Sequence, residues 1–276
     1  MQLGISKSVS KKQKESALIM RKQTKIAAVV SAAALLALGA SMTSFAAAKG
    51  TWMMVDGEWY CYDKNGDAYT NTFCSSNGKE YYVGDDGELV RSAWVEDGSD
   101  KYFVNSSGAK ITNDWRLTTP IDDETADEEW YYFQSNGKMA TSKKITYKGK
   151  TYYFDSEGKM LTGWVTYDSN AVDEANDFVD GKTFYCDETG ARLEGAWVKD
   201  TEPGTSDDEA DADEYWYYLK KSTGKPATGK QANLNGQIYL FDNQGRMLYG
   251  WVVQTTDASG NNAYKQINLD DDNHTK

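Results

Sequence analysis

The apolar and polar positions along the chain recur in short blocks. Residues 149–164 read GKTYYFDSEGKMLTGW, an aromatic run followed by a polar turn with a glycine and then by Met, Leu and a Gly-Trp pair. Similar strings stand at residues 78–94 (GKEYYVGDDGELVRSAW) and 236–251 (GQIYLFDNQGRMLYGW). An aromatic run predicts a strand, and Asp with Gly in a polar stretch predicts a turn. Each block therefore predicts a β-hairpin.

A glycine in each polar turn measures the period of the repeat. Successive glycines are 21 residues apart in four steps and 29, 32 and 34 apart in the other three; they are Gly66, Gly87, Gly108, Gly137, Gly158, Gly190, Gly224 and Gly245. One hairpin is marginal in water, but stacked copies bury each other's aromatic faces. The period therefore predicts an all-β fold, a solenoid of stacked β-hairpins with a unit of about 21 residues.

The extent of the repeats predicts the domain boundaries. A hairpin repeat domain is expected at residues 49–253, with eight units and the start of a ninth, and residues 254–276 are expected to be an incomplete last unit and a polar tail. Residues 1–48 combine basic residues, an apolar run at 26–38 and an Ala-Ala-Ala ending, which is the pattern of a secretory signal peptide. The apolar run is short for a membrane anchor. We therefore expect a secreted protein without a membrane span in the mature chain.

The three long steps contain acidic insertions, at residues 118–129, 168–180 and 201–214. The second lacks the alternation and the central glycine of a calcium loop, so solvated loops are expected and no metal site. Cys61 and Cys186 stand where other copies of the block have Tyr or Phe, so both are expected to be buried apolar fillers. A Cys61–Cys74 bridge remains open.

Composition and charge exclude several functional classes. The net charge is −12, which argues against nucleic acid as a partner because phosphates would be repelled. The single histidine, His274, lies in the polar tail, so His-based triads and His-containing metal sites are not expected. Carboxylates are abundant, but they stand in predicted turns and insertions rather than in a cleft. The sequence therefore predicts a protein that is not an enzyme and has no cofactor.

The repeated block resembles the cell-wall-binding, or choline-binding, repeat of Gram-positive bacteria. The resemblance is carried by TGWVTYD (162–168), EWYYFQSNGKMATS (129–142) and the string at 149–164. It implies a left-handed superhelix with about three hairpins per turn, and a protein of the cell wall or cell surface that attaches to choline-substituted teichoic acid. Related glucan-binding and toxin carbohydrate-binding repeats leave a polysaccharide ligand as an alternative, and a purely structural surface protein as another.

The resemblance also implies ligand cages between consecutive hairpins. Each cage would use the Gly-Trp tryptophan, the tryptophan that opens the aromatic strand, the second tyrosine of the next unit and a nearby apolar residue. Aromatic faces attract a quaternary ammonium by about 0.5–2 kcal/mol each. The candidate ligand-binding residues are Trp52, Trp59, Tyr82 and Leu89 in the first cage, Trp115, Trp130, Tyr153 and Met160 in the second, and Trp197, Trp216 and Tyr239 in a third. The third cage is less complete, because its tyrosine slot contains Leu240 and Tyr239 is expected one residue off the face.

The tryptophan pairs fall in units 1, 4 and 7. With about three hairpins per turn they would align along one edge, which favours a polymer with repeated ligands. The same side chains also serve stacking, and Trp52, Trp115, Trp164 and Trp197 are expected to be chiefly structural. Unpaired end hairpins leave self-association open.

Overall fold

The fold is that of a computed structural model, which describes residues 50–169, 171–205 and 212–267; the predicted signal peptide lies outside these ranges. The strands in chain order are β1 (Thr51–Val55), β2 (Glu58–Tyr62), β3 (Thr72–Ser76), β4 (Lys79–Val83), β5 (Ala93–Asp97), β6 (Asp100–Val104), β7 (Asp114–Thr118), β8 (Glu129–Phe133), β9 (Lys143–Tyr147), β10 (Lys150–Phe154), β11 (Gly163–Asp168), β12 (Ala171–Glu174), β13 (Thr183–Cys186), β14 (Ala196–Asp200), β15 (Tyr215–Leu219), β16 (Gly229–Leu234), β17 (Gln237–Phe241), β18 (Val252–Thr256) and β19 (Asn262–Gln266). The described residues contain no helix, and hence none that could cross a membrane. The prediction of an all-β fold built from successive hairpins is confirmed.

Short turns join the two strands of the regular hairpins. β1 and β2 pair antiparallel from Thr51↔Tyr62 to Val55↔Glu58, which leaves Asp56 and Gly57 as the connecting residues. Both have positive φ, 52° and 95°, as a two-residue type I′ turn requires. The same antiparallel pairing joins β3 to β4, β7 to β8, β9 to β10, β14 to β15, β16 to β17 and β18 to β19.

A second kind of turn leads from one hairpin to the next. The Asp155 carboxylate accepts hydrogen bonds from the backbone N–H groups of Glu157 (2.9 Å) and Lys159 (2.8 Å). Gly158 has φ +88°, and a Cβ there would lie 2.7 Å from the side chain of Met139. Both the backbone conformation and the space therefore require glycine at this position, which explains the glycine period of the sequence.

A main-chain hydrogen bond fastens most of these turns to the preceding hairpin, whereas the turn at Gly224 has Pro226 at the donor position and so has no N–H to give. Leu89 N–H donates to the Trp59 carbonyl (2.8 Å), Met160 N–H to the Trp130 carbonyl (2.9 Å) and Met247 N–H to the Trp216 carbonyl (2.7 Å). The equivalent bonds elsewhere join Lys110 to Glu80, Met139 to Lys101 and Arg192 to Thr151. We call this the inter-repeat hydrogen bond. We call the contact between consecutive hairpins a seam, numbered by its first hairpin.

The described chain divides into two compact units, one of residues up to Asp97 with Phe103–Lys110 and one of Gly98–Tyr102 with the residues from Ile111 onward. The first unit contains a buried cluster of Trp52, Cys61, Cys74 and Val83. The second contains three such clusters, centred on Tyr132 and Phe154, on Tyr153 and Phe184, and on Trp164 and Tyr217. The core is therefore a series of small aromatic clusters at the seams.

Successive hairpins meet through opposite faces. Trp115 of the fourth hairpin lies 4.8 Å from Tyr152 and 5.5 Å from Phe154 of the fifth, measured between ring centroids. Tyr153, between those two residues on β10, points the other way and stacks on Phe184 of the sixth hairpin at 5.6 Å. Because alternate residues of a strand face opposite sides, the fourth and the fifth hairpin each meet the back of the following hairpin with their front.

The second acidic insertion differs from its prediction. Part of it, Ala171–Glu174, forms β12 and makes a three-stranded sheet in the order β12–β11–β13. Val172 and Ala175 are buried in two of the core clusters, and Ala175 N–H donates to the Trp164 carbonyl at 3.0 Å. Burial of Val172 and Ala175 therefore anchors this insertion on the core although the stretch is acidic overall. The first insertion is largely exposed from Asp122 to Thr125, as expected.

Two further expectations are settled by burial and pairing. Cys61, Cys74 and Cys186 are all buried, and Cys61 and Cys186 fill core positions as predicted. The last unit was expected to be incomplete, yet β18 and β19 form a paired hairpin there. The Asp257 carboxylate accepts hydrogen bonds from Ser259 and Asn261 N–H, so a polar turn closes the hairpin although its strands carry few aromatic residues.

Candidate functional site

Seam 1 contains a small cavity between aromatic side chains. It has a volume of about 180 Å³ and is lined by Trp52, Trp59, Ser76, Asn77, Tyr81, Leu89 and Ser107. Trp52 is 3% exposed, and its ring centroid lies 5.7 Å from that of Tyr81 in an edge-to-face arrangement. The Trp52 indole N–H is buried without a hydrogen-bond partner among the described residues. The cavity thus has apolar walls, a hydroxyl- and amide-bearing rim and one unsatisfied donor.

Seam 4 brings together four aromatic and apolar residues. The centroids of Trp115 and Trp130 are 6.5 Å apart with ring planes at 81°, and Tyr152 lies 4.8 Å from Trp115. Met160 packs against the same cluster and makes the inter-repeat hydrogen bond to Trp130. Trp130 is 43% exposed, which is unusual for so large an apolar side chain. The two indoles form an open corner rather than a closed core.

Seam 7 repeats this arrangement. The centroids of Trp197 and Trp216 are 6.5 Å apart with ring planes at 80°, and Tyr239 lies 4.8 Å from Trp197. Trp216 is 44% exposed, and Met247 makes the inter-repeat hydrogen bond to it. Tyr239 therefore packs against Trp197, whereas the sequence predicted that Tyr239 would point away from the tryptophans and that Leu240 would face them. Met247, which the sequence did not single out, takes the position of Met160.

The tyrosine predicted for the first two cages is one residue away from the one that the structure brings to the tryptophans. Tyr82 lies against Phe73 at 5.0 Å, and Tyr153 is fully buried in the next seam; Tyr81 and Tyr152 lie beside Trp52 and Trp115 instead. The prediction followed alternation within one strand, whereas the third wall comes from the back face of the following hairpin. Opposite faces meet at seams 1 and 4, so the third wall is shifted by one position there.

The corner at seams 4 and 7 can do specific chemistry. Two indole faces at about right angles, a phenol ring and a methionine present π surface on several sides of one point, which suits a bulky cation without hydrogen-bond donors. Acidic residues stand close by in the sequence, with Glu129 directly before Trp130 and Glu214 two residues before Trp216. Burial raises the pKa of Tyr153 to about 12, against the opposing effect of its hydrogen bond from Arg192. That ring is therefore a neutral packing element of the next seam at ordinary pH.

In other seams, the residues at the positions of the tryptophan corner form ion pairs or hydrogen bonds within the protein. In seam 2, Glu80 replaces the strand tryptophan and forms an ion pair with Lys110, whose ammonium lies 4.8 Å from the centre of the Phe73 ring. In seam 6, the Trp164 indole N–H donates to the Thr201 carbonyl at 3.0 Å. The Lys110 ammonium and the Trp164 indole N–H therefore already have partners within the protein. Within the ranges that the structure describes, no group of three or more His, Cys, Asp or Glu side chains is placed to bind a metal ion.

Comparison with known proteins identifies the repeats. Two family models, both described as choline-binding repeats, match residues 74–110 and 124–155. The chain is 31% identical over 199 residues to Glucosyltransferase-S of Streptococcus mutans serotype c and 31% identical over 211 residues to Glucosyltransferase-I of Streptococcus downei. These matches cover 72% and 74% of this chain, but the chain spans only 11% of the length of each of these relatives.

Solved structures of Streptococcus pneumoniae proteins are also similar to this chain. The choline-binding domain of CbpL is 24% identical, with a TM-score of 0.49, and the match covers 80% of this chain and 98% of that domain. Choline binding protein F in the presence of a peptidoglycan analogue is 27% identical, with a TM-score of 0.47, over 74% of this chain and 61% of its own.

The hairpins, their period and their aromatic seams define this chain as a β-hairpin repeat protein. The matched family models assign the repeats more closely. The chain carries repeats of the choline-binding family.

Proposed function

We propose that this chain is a secreted, non-catalytic binding protein of the bacterial cell wall, which attaches to choline-substituted teichoic acid through seams 1, 4 and 7. The observation that supports the proposal most is the pair of tryptophan corners at seams 4 and 7, each with indoles at about 80° and 6.5 Å and a tyrosine at 4.8 Å. A trimethylammonium group has no donors to satisfy, and each π face contributes about 0.5–2 kcal/mol. The family of the repeats supports the same ligand.

Repetition of the site supports a polymer as the partner. A single aromatic corner open to solvent binds weakly, but linked ligands on one polymer raise the effective concentration at the next site. The alignment of the three seams along one edge of a left-handed superhelix stays a prediction, and so does self-association through the end hairpins. The exposed indole of Trp251, at the last hairpin, is 65% accessible and would take part in such self-association.

Choline titration tests this proposal. We expect choline to quench the tryptophan fluorescence and to elute the protein from a choline-affinity column, whereas ethanolamine, whose ammonium loses more hydration in an aromatic site, does neither at the same concentration. Absence of any response to choline, together with retention on a polysaccharide, would reject choline as the ligand.

A polysaccharide is the second candidate, and seam 1 favours it. An occupant of this cavity that brings an acceptor oxygen would satisfy the buried Trp52 indole N–H, and Ser76, Asn77 and Ser107 are polar neighbours. A pyranose has both hydroxyl oxygens and an apolar ring face that stacks on an indole or a phenol. The two relatives named as glucosyltransferases are consistent with this candidate. It predicts retention on glucan beads that free choline does not reverse.

A further inference from the structure

Seam 5 has the backbone of the aromatic seams but different side chains. Arg192 N–H donates to the Thr151 carbonyl at 2.8 Å, which is the inter-repeat hydrogen bond. Lys144 pairs with Tyr153 in the fifth hairpin, just as Trp115 pairs with Tyr132 in the fourth. Lysine therefore occupies the position of the Gly-Trp tryptophan. Thr151 occupies the position of the strand tryptophan, and Arg192 that of Met160. Both tryptophans and the apolar residue are thus replaced, two of the three by cations.

A basic cavity opens at this seam. Its volume is about 460 Å³, and its lining includes four basic residues, one acidic residue and two hydroxyl-bearing residues of a neighbouring turn. The basic residues are Lys144, Lys182, Arg192 and Lys225, and the hydroxyls belong to Ser222 and Thr223. The whole chain has a net charge of −12. Four cations around one cavity therefore reverse the local sign of the charge, at a position where seams 4 and 7 present aromatic corners.

Two of the four cations are neutralised and two are available. Lys182 forms an ion pair with Asp168, and Arg192 forms one with Glu194. The Lys144 ammonium lies 4.8 Å from the centre of the Tyr167 ring, which leaves its charge without a carboxylate partner in the described part of the chain. Lys225 likewise makes no ion pair with a described residue. This differs from seam 2, where Glu80 neutralises the cation of Lys110.

We propose that seam 5 binds an anion, and specifically a phosphodiester group. Lysine ammonium groups are point charges that approach a tetrahedral phosphate from several directions, and the hydroxyls of Ser222 and Thr223 add donors at the same cavity. A planar carboxylate is recognised best by the fork of an arginine, but the fork of Arg192 is already engaged by Glu194 and by Tyr153 Oη, which lies 3.3 Å from Nη1. The site is independent of the choline sites proposed at seams 1, 4 and 7.

Titration with small phosphodiesters tests the proposal. Glycerophosphoglycerol, a phosphodiester, is titrated into the full chain at low ionic strength with calorimetric detection, beside acetate as a carboxylate. We expect one diester site per chain, weakened by added salt because Lys144 is exposed and Lys225 is partly exposed. The double variant Lys144→Gln with Lys225→Gln is expected to bind about tenfold more weakly, since each exposed charge contributes modestly.

Matched controls make the result decisive. Lys220→Gln with Lys221→Gln removes the same charge from the turn that contains Lys225, but neither residue lines the cavity; this variant is expected to bind the diester like the unaltered chain. Choline titration of all variants is expected to be unchanged, which also shows that they are folded. The proposal is overturned if the diester does not bind, if acetate binds more tightly, or if the two double variants lose diester affinity equally. Loss of choline binding alone would count against the choline sites and not against this one.

Discussion

Replacing each of two neighbouring tyrosines of β10 by leucine tests how consecutive hairpins face each other. Tyr152 lies 4.8 Å from Trp115 and is half-buried, whereas Tyr153 is fully buried and stacks on Phe184. Tyr152→Leu keeps an apolar side chain but removes one π face, worth about 0.5–2 kcal/mol. Choline binding at that seam should therefore weaken about 2- to 30-fold. Tyr153→Leu removes a buried aromatic pair and should destabilise the fold by about 2 kcal/mol without touching the choline site.

Two measurements on the same variants separate these effects. Choline titration by calorimetry should show one site weakened about 2- to 30-fold in Tyr152→Leu and no site weakened in Tyr153→Leu. The melting temperature should fall by about 4–8 °C in Tyr153→Leu, since about 1 kcal/mol corresponds to 2–4 °C in a domain of this size, and by less in Tyr152→Leu. If Tyr153→Leu loses a choline site while Tyr152→Leu keeps it, the reasoning from opposite faces is wrong.

Three further predictions concern binding, pH and the turn glycines. Trp130→Leu and Trp216→Leu should each reduce retention on a choline-bearing polymer modestly, and together by more than the product of the single losses; simple multiplication would refute a multivalent grip. Burial raises the pKa of Tyr153 from 10.0 to about 12, so its neutral form stabilises the fold below pH 10 and this contribution disappears as the pH rises through about 12. Urea midpoints should fall over that interval, and a flat profile would contradict it. Gly158→Ala should destabilise by more than Gly149→Ala, because both residues have positive φ (88° and 79°) but only the first meets a neighbour, at 2.7 Å; equal melting temperatures would show that the steric contact does not matter.

The fold could be predicted from the sequence because the period and the turn chemistry agree. Glycine recurs where the backbone needs positive φ, with 21 residues between copies in four of seven steps, and polar turns such as Asp155–Gly158 follow the aromatic strands. The ninth hairpin was missed because its strands lack the aromatic run and only the Asp257 turn marks it. The strand within the second insertion was missed because its apolar residues, such as Val172 and Ala175, are scattered among acidic and polar ones.

The candidate site could be predicted less completely than the fold. The tryptophans of seams 1, 4 and 7 can be read from the sequence because they stand at fixed positions of the repeat. Tyr81 and Tyr152 could not be chosen over their neighbours by alternation within one strand, since the choice depends on which face of the next hairpin meets the tryptophans. The basic cavity of seam 5 was missed because Lys144 and Lys225 are distant in sequence and only the stacking brings them together.

The inter-repeat hydrogen bond joins main-chain atoms alone, so it forms whether the donor residue is leucine, methionine, lysine or arginine and whether the acceptor residue is tryptophan, glutamate or threonine. The scaffold therefore places little demand on the side chains at these two positions, although a proline at the donor position, such as Pro226, cannot make the bond. Single substitutions can convert one junction from aromatic to charged while its neighbours stay as they are. Such an architecture lets a lineage diversify what it recognises by point mutation or by gaining and losing whole repeats, without redesigning the backbone.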